Sequence, residues 1–99
     1  MNIQAEKDNG KLIIKPKGRL DTKTASVLAD KLYEIWGDTK ELIFDFSGLE
    51  YTSSAGLRVL LAVQQKMDER GGSMKVININ ESIRQVFDLS GFFSIIDVE

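Results

Sequence analysis

The chain has 99 residues, 42% hydrophobic and 28% charged with one proline, a make-up that excludes disordered and fibrous classes and suits one small folded domain spanning residues 1–99. Thirteen basic against fifteen acidic residues leave a net charge of -2 with no Lys/Arg run able to follow a phosphate backbone, so direct nucleic-acid binding is not expected. There is no Cys and no His, which removes disulfides, redox pairs, thiolate metal sites, histidine-based zinc chemistry and Ser-His-Asp hydrolysis.

The N-terminal MNIQAEKDNGK is polar where a signal peptide carries an apolar core, and no apolar run approaches the roughly 20 residues that span a bilayer. A cytoplasmic protein without membrane insertion is expected. Ile3 to Lys7 alternates apolar and polar residues, Asp8-Asn9-Gly10 is a turn signal, and Lys11 to Lys15 carries Leu12-Ile13-Ile14, so the chain opens with a β-hairpin. Past Pro16 and Gly18, Asp21 or Thr22 can cap a first helix over Thr24 to Trp36, with Leu28, Leu32 and Ile35 at helical spacing and Gly37 ending it.

Leu42-Ile43-Phe44-Asp45-Phe46 is nearly continuous in apolar character, as a central strand covered on both faces would be, and Ser47-Gly48 ends it. Tyr51 to Ser54 lead into a second helix with an inward stripe of Leu57, Leu60, Leu61, Val63 and Met67, closed by Gly71-Gly72. Met74 to Ile79 reads as a strand, Ser82 caps a short helix carrying Ile83, Val86 and Phe87, Gly91 is its C-cap, and Phe92 to Val98 reads as a last strand. The order ββαβαβαβ, with helical crossovers between the later strands, predicts an α/β fold with a mixed sheet.

Folding explains most of this chain but not the segment from Asp45 to Leu57. A buried strand delivers two hydroxyls, Ser53 and Ser54, to the start of a helix, where unpaired N–H groups and about half a positive charge favour an anion. Asp45-Phe-Ser-Gly-Leu-Glu-Tyr-Thr-Ser-Ser54-Ala-Gly56-Leu57-Arg-Val-Leu60 resembles the signature segment of STAS domains, typified by bacterial anti-sigma factor antagonists. Gly18-Arg-Leu-Asp21 and Leu89-Ser-Gly91-Phe92 resemble the same family, so the likeness covers essentially the whole chain.

The resemblance implies that Ser54 is phosphorylated by a partner that is both anti-sigma factor and serine kinase, with Ser53 the alternative acceptor. It implies further that the unphosphorylated form binds this partner, that a PP2C-type phosphatase resets the switch, and that the chain is not itself an enzyme and needs no cofactor. Asp21, Thr52, Ser53, Ser54, Gly56 and Arg58 are the implied partner-binding residues. The family often has Asp-Ser-Ser-Gly where this chain has Ser53-Ser54-Ala55-Gly56, a departure that bears on which kinase reads the loop and which serine it uses.

Each of these residues also has a plainer reading. Ser53 or Ser54 can simply cap the helix. Gly56 is either a small first-turn residue or a gap for close approach of a partner, Asp45 a strand-end acceptor of loop N–H groups or a shaper of the loop, and Arg58 a solvated side chain or a partner for the phosphate. Trp36 and at least one of Phe92 and Phe93 are expected in the core. A second functional reading within the same family is a STAS subunit without a phosphorylation switch, serving a lipid-transport or stress-sensing assembly. An enzyme is disfavoured because no His is present to activate a serine, and no GxxxxGK[ST] or GxGxxG loop supports a nucleotide.

Overall fold

A computed structural model describes residues 1–99. Strands β1 (Asn2–Asp8) and β2 (Lys11–Leu20) form the expected antiparallel hairpin, closed by Asn9-Gly10 with φ of 46° and 81°, the mirror-image turn that Asn-Gly adopts at low cost. There follow α1 (Thr22–Ile35), β3 (Glu41–Asp45), β4 (Leu49–Thr52), α2 (Ser54–Glu69), β5 (Ser73–Ile77), α3 (Glu81–Ser90), a 3-10 turn at Phe92–Ser94 and β6 (Asp97–Val98). The sheet runs β1-β2-β3-β5-β6, antiparallel in the hairpin and parallel beyond it, with β4 paired to β2 off this path.

Strand β2 does not end near Lys15 but continues through Pro16 and Gly18. Its first residues, Lys11 to Ile14, lie beside β3, whereas Gly18 to Leu20 lie beside β4. The register shifts between Gly18 and Arg19, and Gly18 has φ 102°, so a glycine bulge turns the strand from one partner to the next. Strand β4 corrects the expected order, which becomes ββαββαβαβ. Four residues carry too short a pattern to be read locally. They become a strand because the far end of β2 offers them a free ladder edge.

One contiguous core holds Leu12, Ile14 and Leu20 of β2, Leu42 and Phe44 of β3, Met74 and Val76 of β5, and Leu28, Leu32, Leu60, Val63, Met67, Ile83 and Phe87 from the helices. Ile43 is buried yet lies outside this core, on the alternate face of β3 beside its register partners Ile13 and Lys75. The second face of β3 is therefore sheltered by neighbouring side chains and not by helices. The ion pairs Lys11–Glu41, Lys15–Glu6 and Lys75–Glu99 run along that face.

Three boundaries also move. α1 starts at Thr22 on an Asp21 cap, and α3 starts at Glu81 on an Asn80 cap, not at Ser82. The expected strand from Phe92 to Val98 is a 3-10 turn followed by a two-residue strand, because Gly91 at φ 73° reverses the chain and Phe92 turns into the core, its ring centroid 5.0 Å from that of Phe87. Trp36 packs against the edge of the core with the Arg70 guanidinium 4.1 Å above its ring, while Phe93 stays exposed.

Gly56, in the first turn of α2, is where helix and sheet come closest. A Cβ there would collide with the Thr52 hydroxyl and lie 2.7 Å from Cδ2 of Leu20. Alanine is the better helix former by about 1 kcal/mol, but overpacking costs about 1–3 kcal/mol. Gly56→Ala is therefore expected to lower stability in urea unfolding, and a gain in stability would show that the close contact does not constrain the helix.

Candidate functional site

Leu20 and Thr52 are register partners at the ends of β2 and β4, so the chain leaves the two strands side by side. One exit becomes α1 through Asp21 and the other becomes α2 through Ser53, whose N–H donates to the Leu20 carbonyl at 2.8 Å. Two helix N-termini thus emerge together at one end of the sheet. They are finished differently.

Asp21 closes α1 with a capping box: its Oδ1 accepts from Lys23 N–H at 3.1 Å and Thr24 N–H at 3.0 Å, and its own N–H donates to Thr24 Oγ1 at 2.8 Å. The Thr24 backbone N–H, then the Thr24 hydroxyl, hold the Asp21 carboxyl below its ordinary value. α3 is closed by the Asn80 side chain, with Glu81 in its first turn. α2 has neither device, since Ser53 makes no side-chain cap bond and the first turn carries no acid. Its first-turn N–H groups and the positive end of its dipole remain open to an incoming anion.

The two serines are placed on opposite sides of this opening. Ser53 Oγ is buried without a hydrogen-bond partner, whereas Ser54, the first helical residue, is exposed. Neither caps the helix. Arg58, one turn on, is exposed and makes no ion pair. With Thr22, Ala25 and Ser26 of α1 and Ala55 and Val59 of α2 it lines a groove of about 310 Å³ between the two helices.

Thr52 and Gly56, expected at a partner surface, are both buried: Thr52 donates its hydroxyl to the Ser53 carbonyl at 3.2 Å, and Gly56 sits on it. They shape the surface from beneath. Asp21, Ser53, Ser54 and Arg58 retain exposed atoms around it.

A second layer fastens the loop. Asp45 Oδ1 accepts from Ser47 N–H and from Asn78 Nδ2, each at 3.0 Å. Partial burial pushes the Asp45 carboxyl up, but the bonds from Asn78 and Ser47 outweigh it and hold the group below its ordinary value. Asn80 Nδ2 donates to the Leu49 and Glu50 carbonyls, both at 3.1 Å, while its Oδ1 caps α3 through Ile83 N–H at 2.8 Å. Sequence reasoning missed both asparagines. The only local signal is Asn80 as a capping residue two positions before Ser82; its reach to β4, some 30 residues away, leaves no mark in the pattern.

No helix is long and apolar enough to cross a membrane. A family model of the STAS domain matches residues 2–99. The protein BtrV of Bordetella bronchiseptica is 31% identical over 99 residues, covering 99% of this chain and 85% of BtrV. The anti-sigma-B factor antagonist of Bacillus subtilis is 26% identical over 98 residues, covering 99% of this chain and 90% of that protein. Among solved structures, the anti-sigma factor antagonist SpoIIAA in its unphosphorylated form superposes with TM-score 0.76 at 19% identity, covering 99% of this chain and 87% of SpoIIAA. The phosphorylated form of Bacillus SpoIIAA superposes with TM-score 0.75 at 21% identity, over 99% of this chain and 91% of that one.

Because the chain has no Cys, a single introduced thiol reports on the site alone. The Ser54→Cys thiol should react readily with a disulfide reagent and titrate below the ordinary value of about 8.5, since an open helix N-terminus stabilises thiolate. Ser53→Cys should react far more slowly; equal rates would contradict the inward and outward placement of the two side chains.

Acid stability follows from the two shifted carboxylates. Asp21 and Asp45 both lie below their ordinary 3.8 in the folded chain, so each stabilises the fold above that value and loses its contribution as pH falls through the lower folded value. With no His to titrate, Tm should be level from about pH 5.5 to 7 and decline below about pH 4. Asp21→Asn should flatten that decline. An unchanged acid limb would remove Asp21 from the account.

Proposed function

The chain belongs to the STAS domain family, and from that premise we propose that residues 1–99 act as one regulatory domain, an anti-sigma factor antagonist switched by phosphorylation of Ser54. Unmodified, it binds an anti-sigma factor that is also its serine kinase and so releases a sigma factor. Phosphorylated, it lets the kinase go. The anti-sigma-B factor antagonist of Bacillus subtilis, similar over 98 residues, supports this role, and a cytoplasmic setting is part of the same proposal.

The observation that carries the reading is the contrast at the start of α2, where Ser54 is exposed beside the one helix N-terminus of the three that no side chain or first-turn acid neutralises. In the modification step Ser54 Oγ takes the γ-phosphoryl group of ATP, its proton passes to a base of the kinase, and ADP leaves. A PP2C-type phosphatase returns the hydroxyl by transferring the phosphoryl group to water. The catalytic machinery for both steps belongs to the partners, and this chain supplies the acceptor and the surface around it.

Phosphate brings a charge of about -1.5 to -2 at pH 7. At a helix C-terminus that charge would repel; at the start of α2 the helix field and free N–H groups stabilise it by about 0.3–1 kcal/mol. The free domain should therefore keep its fold. A kinase surface built to bring ATP to this hydroxyl meets instead a bound dianion that fills the acceptor position and repels the nucleotide phosphates.

Incubation with the cognate kinase and ATP should add one phosphate, lost in Ser54→Ala and kept in Ser53→Ala. The phosphorylated chain, and more weakly Ser54→Asp, should lose affinity for the kinase while Tm stays within about 4–8 °C of the unmodified value, the shift that about 1 kcal/mol produces in a domain of this size. Peptide mass mapping, calorimetry and a binding titration read these outcomes. A complex that forms equally with modified chain would mark a STAS subunit without a switch.

A further inference from the structure

Strand β4 is held on one side by the backbone of β2, through pairs at Gly18, Arg19 and Leu20. On its other side no strand follows. The Asn80 side chain takes that place, its amide donating to the Leu49 and Glu50 carbonyls at 3.1 Å each. The same side chain accepts from Ile83 N–H at 2.8 Å as the cap of α3. One planar amide thus spends three hydrogen bonds joining the start of α3 to the strand that delivers Ser53 and Ser54. Asn78, at φ 62° in the left-handed region that Asn tolerates, reaches the Asp45 carboxylate on the same loop.

We propose that Asn80 is a positioning residue of the Ser54 site: by standing in for the missing neighbour of β4 it sets where α2 begins and keeps residue 53 inward and residue 54 outward. This rests on the reading of Ser54 as the switch residue, but the placement itself is measurable without a partner. The mechanism is local. A four-residue strand with one backbone neighbour has carbonyls that open to water unless something donates to them, and fraying of β4 carries the first turn of α2 with it. Thr52 and Gly56, packed against each other between β4 and α2, transmit that movement.

Two substitutions separate the two tasks of the amide. In Asn80→Asp the carboxylate still accepts from Ile83 N–H, and aspartate is as good a cap as asparagine, but it cannot donate to Leu49 or Glu50. Asn80→Ser keeps the cap and loses the reach without adding charge. Hydrogen exchange is read at Ser53, whose N–H donates to Leu20, and at Gly18, whose N–H donates to Gly48, with Arg84, whose N–H donates to Asn80, as the reference in α3.

In both variants Ser53 and Gly18 should exchange on the order of tenfold faster, the effect of a hydrogen bond worth about 1.4 kcal/mol, while Arg84 stays protected. A Ser53→Cys thiol, shielded with Asn80 intact, should become reactive in the Asn80→Ser background. Unchanged exchange at Ser53 and Gly18, or acceleration spread equally through α3, overturns the positioning role. Failure of the wild-type chain to accept phosphate at Ser54 is a separate result that removes the switch and leaves the exchange comparison to decide the placement.

Discussion

The contact between Gly56 and the Leu20–Thr52 pair governs this molecule. Leu20 ends β2 and Thr52 ends β4, so the two side chains mark the level at which both strands stop, and α2 can rest on them only because residue 56 lacks a Cβ. From that seat the helix axis is set, and Leu60, Val63 and Met67 are carried into the core one turn after another. The same seat fixes the rotation of the first turn. Residue 53 then points into the protein and residue 54 away from it, a difference of orientation that no property of two identical side chains could supply.

Electrostatics adds to this geometry. α1 and α3 each close their N-termini with a side-chain oxygen, and α3 adds Glu81, so their positive ends are answered within the chain. α2 is left unanswered in a molecule whose net charge is -2. Arg58 lies one turn further along with no carboxylate partner, which extends the positive character of the surface beside Ser54. Attraction for an anion here is confined to about the first turn of the helix, because the dipole effect fades beyond it and salt screens what remains.

What could be read from the sequence follows the range of the interactions involved. The hairpin, α1, α2 and the two central strands β3 and β5 were legible because each is written in its own residues: Asn9-Gly10 sets a turn, and Leu28 with Leu32 or Leu60 with Met67 set a helical face. Asp21 was legible as a cap for the same reason. Strand β4 was not, because Leu49 to Thr52 becomes extended only when Gly18 turns β2 toward it, a contact over some 30 residues of chain. The α3 cap was misplaced by two residues because Asn and Ser are near-equal capping residues, and only the bond to Ile83 distinguishes Asn80. Phe92 read as a strand residue because apolarity alone does not distinguish a strand from a turn that buries one ring. At the site, the motif pointed to the Ser53 and Ser54 hydroxyls at the start of α2, but burial of Thr52 and Gly56 depends on the seat of α2 and had no local signal.

Leaving α2 without a cap has a cost, since a good N-cap contributes about 0.5–2 kcal/mol. A serine at the N-cap whose oxygen accepts from the first-turn N–H groups would recover that energy, yet its oxygen would then be turned inward and those N–H groups occupied. Both conditions would oppose the reversible phosphate proposed at Ser54, which requires an outward nucleophile beforehand and free donors afterwards. Ser53 sits at the N-cap with its oxygen buried and idle, and Ser54 stands one residue on with its oxygen free. The apolar face of α2 offsets the missing cap, because burying Leu60, Val63 and Met67 contributes about 1.5–3 kcal/mol each against a single lost hydrogen bond. The core therefore allows this helix to keep its N-terminus open, and openness there is what a switch based on one phosphate needs.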